Sequence, residues 1–199
     1  MGSCGCHHHD AGEPTVRRVL MDEHRVIERV LDAVERMVEA DAVDAPFLTQ
    51  AIDFFRNFAD GCHHFKEERA LFPALERQGV PRDGGPIGCM LHEHDQGRAY
   101  IRAMNESLSA AAAGDAAARR AVHAAARGYI DMLRQHIQKE DHVLFVMAEQ
   151  VLPASEQAAM LRTFEQVETA PDAVGKHERY VALADRLENW SFAPRACRV

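Results

Sequence analysis

The sequence predicts an all-α protein, an up-and-down four-helix bundle followed by two additional short C-terminal helices. Apolar residues recur at spacings of three, four or seven through most of the chain, as on the buried face of a helix. No segment shows sustained alternation of apolar and polar residues with β-branched enrichment, so no strand is predicted. With 199 residues and a hydrophobic content of 47%, the chain suits one domain with a sizeable core.

The periodic stretches are separated by breaks that set the expected ends of the helices. One break lies at residues 41–46, Pro73 should kink or end the second helix, and the Gly- and Pro-rich segment 79–88 is a loop. Gly114 with Asp115 separates the third helix from the fourth. The expected helices therefore cover about residues 14–40, 46–72, 87–112, 116–152, 153–168 and 175–187.

Three regions follow from this pattern. Residues 1–13 lack periodicity and are predicted to form a flexible Cys/His-rich arm. Residues 14–152 contain the four long helices of the bundle, and residues 153–199 form a C-terminal helical appendage. The cysteines and histidines of the arm could bind a soft metal ion, or their clustering is adventitious.

The composition excludes several classes of partner. With a net charge of −8, the chain has no excess of positive charge to neutralise phosphates, so neither nucleic acid nor an anionic membrane is an expected partner. No apolar run approaches the roughly 18 residues that span a bilayer, and the N-terminus lacks the apolar segment of a signal peptide. Five scattered cysteines suit a reducing compartment, so a cytoplasmic protein is expected. The twelve histidines point instead to metal binding.

An internal repeat relates the two halves of the predicted bundle. The segment HHFKEERALF at 63–72 aligns with HIQKEDHVLF at 136–145, and LMDEH at 20–24 aligns with MLHEH at 90–94. Each half therefore has a lone histidine on its first helix and a His-x-x-x-Glu pair on its second. Residues four apart lie on one face of a helix, so each pair can direct an imidazole and a carboxylate into the same space.

The repeated polar residues lie on the apolar stripes of their helices, which predicts that they are buried. One His-x-x-x-Glu pair is usually a surface pair, but two matched pairs with two matched histidines indicate a shared cation that offsets the cost of burial. Six imidazole and carboxylate ligands are too many for one tetrahedral zinc and suit two ions of iron or manganese. The candidate ligands are His24, His63, Glu67, His94, His136 and Glu140.

Two nearby histidines offer alternative registers. His64 with Glu68 is also an i, i+4 pair, but the residue that matches His64 in the repeat is Ile137, which argues against this register. His92 is two residues from His94 and points away from it on a helix, so it is predicted to be solvated. Replacement of either alternative histidine is therefore expected to leave the metal content nearly unchanged.

Two further residues could lie close to the candidate ligands and interact with them or with the metal. Glu28 lies four residues after His24 and could reach the centre as an extra carboxylate or a hydrogen-bond partner. Tyr129 lies two turns before His136 on the same face, either as a core tyrosine or as a hydrogen-bonding or redox-active group beside the metals. Two acids that follow the repeated glutamates are interpreted as supporting or surface residues: Glu68 and Asp141.

The remaining candidates have no partner pattern. Cys62 adjoins His63 and Cys89 starts the third helix, and both are interpreted as buried, inert thiols. The other histidines within the helices are predicted to be surface residues, namely His123, His142 and His177.

In combination, these motifs resemble the hemerythrin-like (HHE cation-binding) family, in particular its bacterial branch. The segments that carry the resemblance are DEHRVIE at 22–28, CHHFKEE at 62–68, GPIG at 85–88, MLHEH at 90–94 and HIQKE at 136–140. The resemblance covers about residues 16–150. It implies a four-helix bundle around two iron ions, bridged by the two carboxylates and an oxo or hydroxo group, rather than manganese or zinc. Carried over position by position, it implies the same six ligands.

The chain departs from the oxygen-carrying members at one position. Those proteins have two histidines four apart on the third helix, whereas here the neighbours of His94 at that spacing are Met90 and Arg98. The resulting set of four histidines and two glutamates is similar to that of the branch that repairs iron centres. The leading hypothesis is a di-iron protein that binds or senses O2, NO or peroxide. One alternative is an enzyme that reduces NO or peroxide, or an iron donor for the repair of iron–sulfur clusters. Its possible partners are an electron donor or an iron–sulfur client protein. A second alternative is iron storage or a structural metal.

Overall fold

The computed structural model describes residues 14–169 and 173–192, and every regular element within these ranges is helical. The predicted arm at residues 1–13 lies outside the described residues. The α-helices in chain order are α1 (Val16–Glu39), α2 (Ala45–Phe54), α3 (Phe72–Arg77), α4 (Pro86–Ala112), α5 (Ala116–Lys139), α6 (Phe145–Val151), α7 (Ala154–Thr169) and α8 (Lys176–Glu188). The all-α prediction is confirmed.

Three π-helical segments interrupt the long helices. Phe55–His64 and Glu67–Leu71 connect α2 to α3, so residues 45–77 run on as the second bundle helix. Glu140–Leu144 connects α5 to α6 and gives the fourth bundle helix, residues 116–151. Two of these segments begin at the repeated glutamates, so the repeat is present in the backbone as well as in the sequence. Such segments are frequently found at functional sites.

The helix ends follow from local chemistry. The side chains of Thr15, Asp44 and Asp115 accept hydrogen bonds from backbone N–H groups in the first turns of α1, α2 and α5. Gly114, with φ of 97°, adopts the left-handed conformation that ends the third bundle helix. Pro73 was expected to kink or end the second bundle helix because it lacks an N–H group, and it does not end the helix. The helix continues to Arg77, with a π-helical segment directly before the proline.

Two buried apolar clusters lie on either side of a polar layer. On α1, Ile27 belongs to the larger cluster and Leu20 to the smaller, and His24 lies between them. The C-terminal helices share these clusters, since Tyr180 of α8 joins the larger and Phe164 of α7 joins the smaller. Residues beyond the four long helices therefore contribute to the same core as the bundle.

Two glycines at the start of α4 allow the preceding loop to approach the helix. A Cβ atom on Gly85 would lie 2.2 Å from the carbonyl oxygen of Pro81, and one on Gly88 would lie 2.3 Å from that of Arg82. Glycine at both positions permits this backbone contact. Across residues 14–169 and 173–192, no helix is sufficiently long and apolar to cross a membrane.

Candidate metal centre

The six predicted side chains converge in the polar layer, each no more than 1% exposed. Glu67 directs one carboxylate oxygen to His63 Nε2, at 3.6 Å, and the other to His94 Nε2, at 3.5 Å. Glu140 Oε2 lies 3.1 Å from His136 Nε2 and 3.3 Å from His24 Nε2. Each glutamate therefore faces imidazoles from two different helices.

The side chains fall into two groups that share Glu67. We call His24, His63, Glu67 and Glu140 the His24 group, and His64, Glu67, His94 and His136 the His94 group. Within each group, the potential ligand atoms lie within 4.8 Å of one another. The layer thus offers two adjacent positions for a cation, with a carboxylate between them.

His64 is a member of the second group, although the repeat argued against it as a candidate ligand. Its side chain is buried, and its ring stacks on that of His94 with a centroid separation of 3.8 Å. The signal in the sequence is that Glu67 follows His63 by four residues and His64 by three, and both spacings share a helix face. The repeat does not carry this signal because its two halves differ at this position, with Ile137 packed in the larger apolar cluster.

A carboxylate lies beside the Nδ1 atom of every imidazole in the two groups. The Nδ1···O pairs are His24 with Asp141 at 2.6 Å, His63 with Glu23 at 2.9 Å, His64 with Asp60 at 3.4 Å, His94 with Glu68 at 2.8 Å and His136 with Glu93 at 2.9 Å. Donation of Nδ1–H to a carboxylate leaves the Nε2 lone pair free for a metal, which is the usual arrangement around metal-binding histidines.

Four of these five pairs obey the internal repeat. Asp141 and Glu68, expected as supporting or surface acids, are repeat equivalents and accept from His24 and His94. The other repeat-related acids are Glu23 and Glu93, which sequence reasoning missed although each directly precedes a candidate histidine. The fifth acceptor, Asp60, belongs to His64 and has no counterpart in the repeat.

The buried polar atoms fit a cation better than they fit one another. Nε2 of His24, His63 and His64 and both oxygens of Glu67 and Glu140 have no hydrogen-bond partner within the described residues. Burial of a polar atom without a hydrogen-bond partner costs free energy of folding. Seven such atoms in one layer therefore indicate that the layer binds a ligand. Nε2 of His94 lies 3.2 Å from Nε2 of His136. With both imidazoles donating from Nδ1, the two Nε2 lone pairs would face each other, an arrangement that a cation would stabilise.

The electrostatics of the layer are consistent with this fit. Burial, together with the neighbouring Glu140, raises the pKa of Glu67 well above its ordinary value. Burial lowers the pKa of His63 to about 4 and holds that of His64 well below its ordinary value. The lowered pKa values keep His63 and His64 neutral, and a neutral imidazole is a donor that iron and similar divalent ions accept.

A cavity of about 300 Å³ reaches the His94 group from the side of the bundle. His64, His94 and His136 line it, and His24 and His63 do not. Apolar and aromatic side chains form much of its wall, among them Tyr129, whose hydroxyl pKa is raised by burial. Tyr129 thus lies beside the centre in the cavity wall, and its ring packs on that of Phe55 at 4.7 Å between centroids.

The remaining sequence-based expectations have mixed outcomes. His92 and His142 are exposed, as expected. His123 is instead buried, because its Nε2–H donates to the carbonyl oxygen of Ala42 at 2.7 Å. Cys89 is exposed rather than buried. His177 is partly covered and lies 3.7 Å from a carboxylate oxygen of Glu23.

Two of the other expectations concern residues near the ligands. Glu28 does not contact an imidazole within the described residues, since its carboxylate pairs with Arg25 at 3.0 Å, and Arg25 in turn contacts Asp141. Cys62 is partly buried, and burial raises the pKa of its thiol to about 12, in keeping with an inert thiol.

Comparisons with known proteins agree with the geometry. An uncharacterized protein of Mycobacterium tuberculosis, Rv1995, is 32% identical over 153 residues, which cover 75% of this chain and 59% of that relative. The iron-sulfur cluster repair protein YtfE of Edwardsiella ictaluri is 35% identical over 104 residues, 51% of this chain and 46% of its own length. The iron-sulfur cluster repair protein DnrN of Neisseria gonorrhoeae is 36% identical over 86 residues, 42% and 54% of the two chains.

This chain spans only about half to three-fifths of the length of these relatives. No solved structure shows significant similarity to it. The model of the hemerythrin HHE cation-binding domain matches residues 15–148, which include both groups of candidate ligands. The resemblance is thereby confirmed, and the chain belongs to the hemerythrin HHE cation-binding family.

Proposed function

We propose that this protein holds two iron ions in the polar layer and uses them to bind or sense O2, NO or peroxide. The proposed ligands are the six residues selected by the repeat, His24, His63, Glu67, His94, His136 and Glu140. The observation that carries the proposal is the set of buried, unpartnered imidazole and carboxylate atoms that face two adjacent positions. Iron, when bound there, would supply redox chemistry and open coordination positions for small ligands.

The chain's own residues would perform three tasks at this centre. Glu67 and Glu140 face both positions and would hold the two ions together. The carboxylates on Nδ1 orient the imidazoles and fix their tautomer. The apolar clusters above and below exclude bulk water, while the cavity provides a route for a small molecule to the His94 group.

Metal content tests this proposal directly. The full-length protein, prepared with iron in the medium, is compared by plasma mass spectrometry with a Glu67→Ala/Glu140→Ala double variant. Subtracting the iron retained by the variant removes any contribution from the Cys/His-rich arm. A difference close to two iron atoms per chain is expected, and equal iron content in the two proteins would refute the proposal.

A second candidate function is the donation of iron to damaged iron–sulfur clusters. It is supported by the relatives named as iron-sulfur cluster repair proteins, which match this chain at 35% and 36% identity. The distinguishing measurement mixes the iron-loaded protein with an apo iron–sulfur protein and follows cluster absorbance. Stable, reversible adducts with O2 or NO and no cluster formation favour binding or sensing, and cluster recovery at the expense of bound iron favours repair.

Turnover distinguishes the remaining readings. Sustained consumption of NO or peroxide by the reduced protein, beyond one equivalent per centre, would identify an enzyme. Unfolding by an iron chelator, without reactivity towards any of these molecules, would identify a structural metal.

A further inference from the structure

We infer that His64 is a fifth imidazole ligand of this centre, an inference that rests on the proposed two-iron function. The side chain is 5% exposed, and its Nε2 atom is buried without a hydrogen-bond partner in the described part of the chain. That atom belongs to the same compact group as donor atoms of Glu67, His94 and His136. A buried imidazole nitrogen directed into a cluster of metal-binding side chains is either a ligand or a costly defect.

The Nδ1 atom of His64 lies beside a carboxylate, as do the Nδ1 atoms of the other four imidazoles. Its Nδ1 lies 3.4 Å from an oxygen of Asp60. Asp60 is held in turn by Arg98, whose Nε and Nη2 atoms lie 2.9 and 2.7 Å from that same oxygen. Arg98 lies four positions after His94 on the third bundle helix. Here that helix supplies the group that positions Asp60, and the second bundle helix supplies the imidazole.

The backbone brings both adjacent histidines to the centre. His63 and His64 end a π-helical segment, and Glu67 begins the next one. Glu67 lies four residues after one histidine and three after the other, so its carboxylate lies between the two groups. The equivalent of His64 on the fourth bundle helix is Ile137, which is fully buried in the apolar cluster. The centre is therefore asymmetric, with three imidazoles in one group and two in the other.

This asymmetry changes the count of open positions. With two histidines for each ion, both ions would have equal room for a small ligand. With His64 bound, the ion of the His94 group has three imidazole donors, whereas the ion of the His24 group has two. The cavity that reaches His64 also gives a small molecule access to the position that its removal would vacate.

Three single variants of the full-length protein test the assignment: His64→Ala, His63→Ala and His92→Ala. The measured quantity is the iron retained per chain during dialysis against a competing chelator, with far-UV circular dichroism as the check on folding. His64→Ala is expected to lose iron at least about tenfold faster than the wild type, and the exposed His92→Ala variant should match the wild type.

Added imidazole separates ligation from packing. Because His64 lines the cavity, free imidazole should enter the vacated space and restore iron retention in His64→Ala. It should not do so in His63→Ala, since His63 does not line the cavity. Wild-type retention in His64→Ala, or a loss that imidazole does not restore, would overturn the inference.

A measurement on the wild-type protein keeps the inference testable if the variants do not fold. In the reduced, iron-loaded protein labelled with ¹⁵N-histidine, each ligand imidazole should give one hyperfine-shifted Nδ1–H proton. Five such signals are expected, and four would overturn the assignment of His64 alone. A wild-type protein that retains no iron would instead refute the proposed function, and this inference with it.

Discussion

Lys66 donates to Glu23 at 2.5 Å in the interior of the protein, directly beside the candidate metal centre. The two side chains are only 1% and 3% exposed. Glu23 also accepts from His63 Nδ1–H, and Lys66 also pairs with Glu168 of α7. Although burial alone would raise it, His63 and Lys66 hold the pKa of Glu23 at about 2. A chain of charged groups therefore connects the C-terminal helices with a candidate ligand.

Removal of Lys66 should be strongly destabilising. Lys66→Ala leaves the Glu23 carboxylate buried without its cation, and breaking a buried pair in this way typically costs about 3–5 kcal/mol. The measurement is the free energy of unfolding in urea, at neutral pH and with the metal removed, so that ligand binding does not contribute.

Lys139→Ala is the matched control for this prediction. Lys139 also pairs with a carboxylate that accepts from a candidate ligand, Glu93, but its side chain is 41% exposed. An exposed pair contributes about 0–1 kcal/mol, so the control should unfold close to the wild type. Equal effects of the two substitutions would show that Lys66 is not buried in solution.

Loss of the acceptor on His24 should weaken metal binding without removing a ligand. Asp141 accepts from His24 Nδ1–H at 2.6 Å, and groups in this position typically contribute a factor of about 10–100 to metal affinity. Asp141→Ala should lower the iron affinity by that factor in a chelator competition assay, and Asp141→Asn, which retains an acceptor oxygen, should lower it less. The control is Asp22→Ala on the same helix, since its side chain is 74% exposed. An affinity as high as that of the wild type in Asp141→Ala would contradict the role assigned to this carboxylate.

Iron should stabilise the folded protein. Without a cation, the carboxylates of Glu67 and Glu140 remain buried and unpartnered. An ion present at a hundred times its Kd adds about 2.7 kcal/mol, which corresponds to a rise of about 5–10 °C in Tm for a domain of this size. Scanning calorimetry with and without iron measures the shift. The Glu67→Ala/Glu140→Ala variant should show none, and an equal shift in both proteins would place the stabilising ion elsewhere.

The glycine at position 88 should be required for the packing of α4. A Cβ atom there would lie 2.3 Å from the carbonyl oxygen of Arg82, so either the loop or the helix must move. Overpacking of this kind typically costs about 1–3 kcal/mol, and Gly88→Ala should lower the urea midpoint accordingly. Ser109→Ala, on the exposed side of the same helix, should remain within about 0.5 kcal/mol of the wild type. Equal stability of the two variants would show that the loop yields without cost.

Much of the architecture could be predicted because it depends on local patterns. Apolar periodicity and the Gly, Pro and Asp breaks predicted the helices within a few residues, since caps and breakers act within one turn. The repeat selected six residues that converge, because residues four apart share a helix face whatever the helix packs against. The same repeat could have identified Glu23 and Glu93, which precede His24 and His94 in equivalent positions.

Other features depend on contacts between distant parts of the chain. The burial of Lys66 depends on Glu23 of α1 and Glu168 of α7, 43 and 102 residues away. The burial of His123 depends on the carbonyl group of Ala42, 81 residues away. Such partners cannot be predicted from the spacing of residues within one helix.

The helices, their order and the six residues that face a common space could all be predicted without a structure, since each follows from spacing along one helix. Packing between helices places His64 in the polar layer, while its repeat equivalent, Ile137, packs among apolar side chains. The same packing sets which carboxylate accepts from each imidazole. Both features depend on how neighbouring helices are rotated and how far apart they lie. These two quantities set whether a side chain next to the ligand-bearing face of its helix reaches the candidate metal centre or the apolar core.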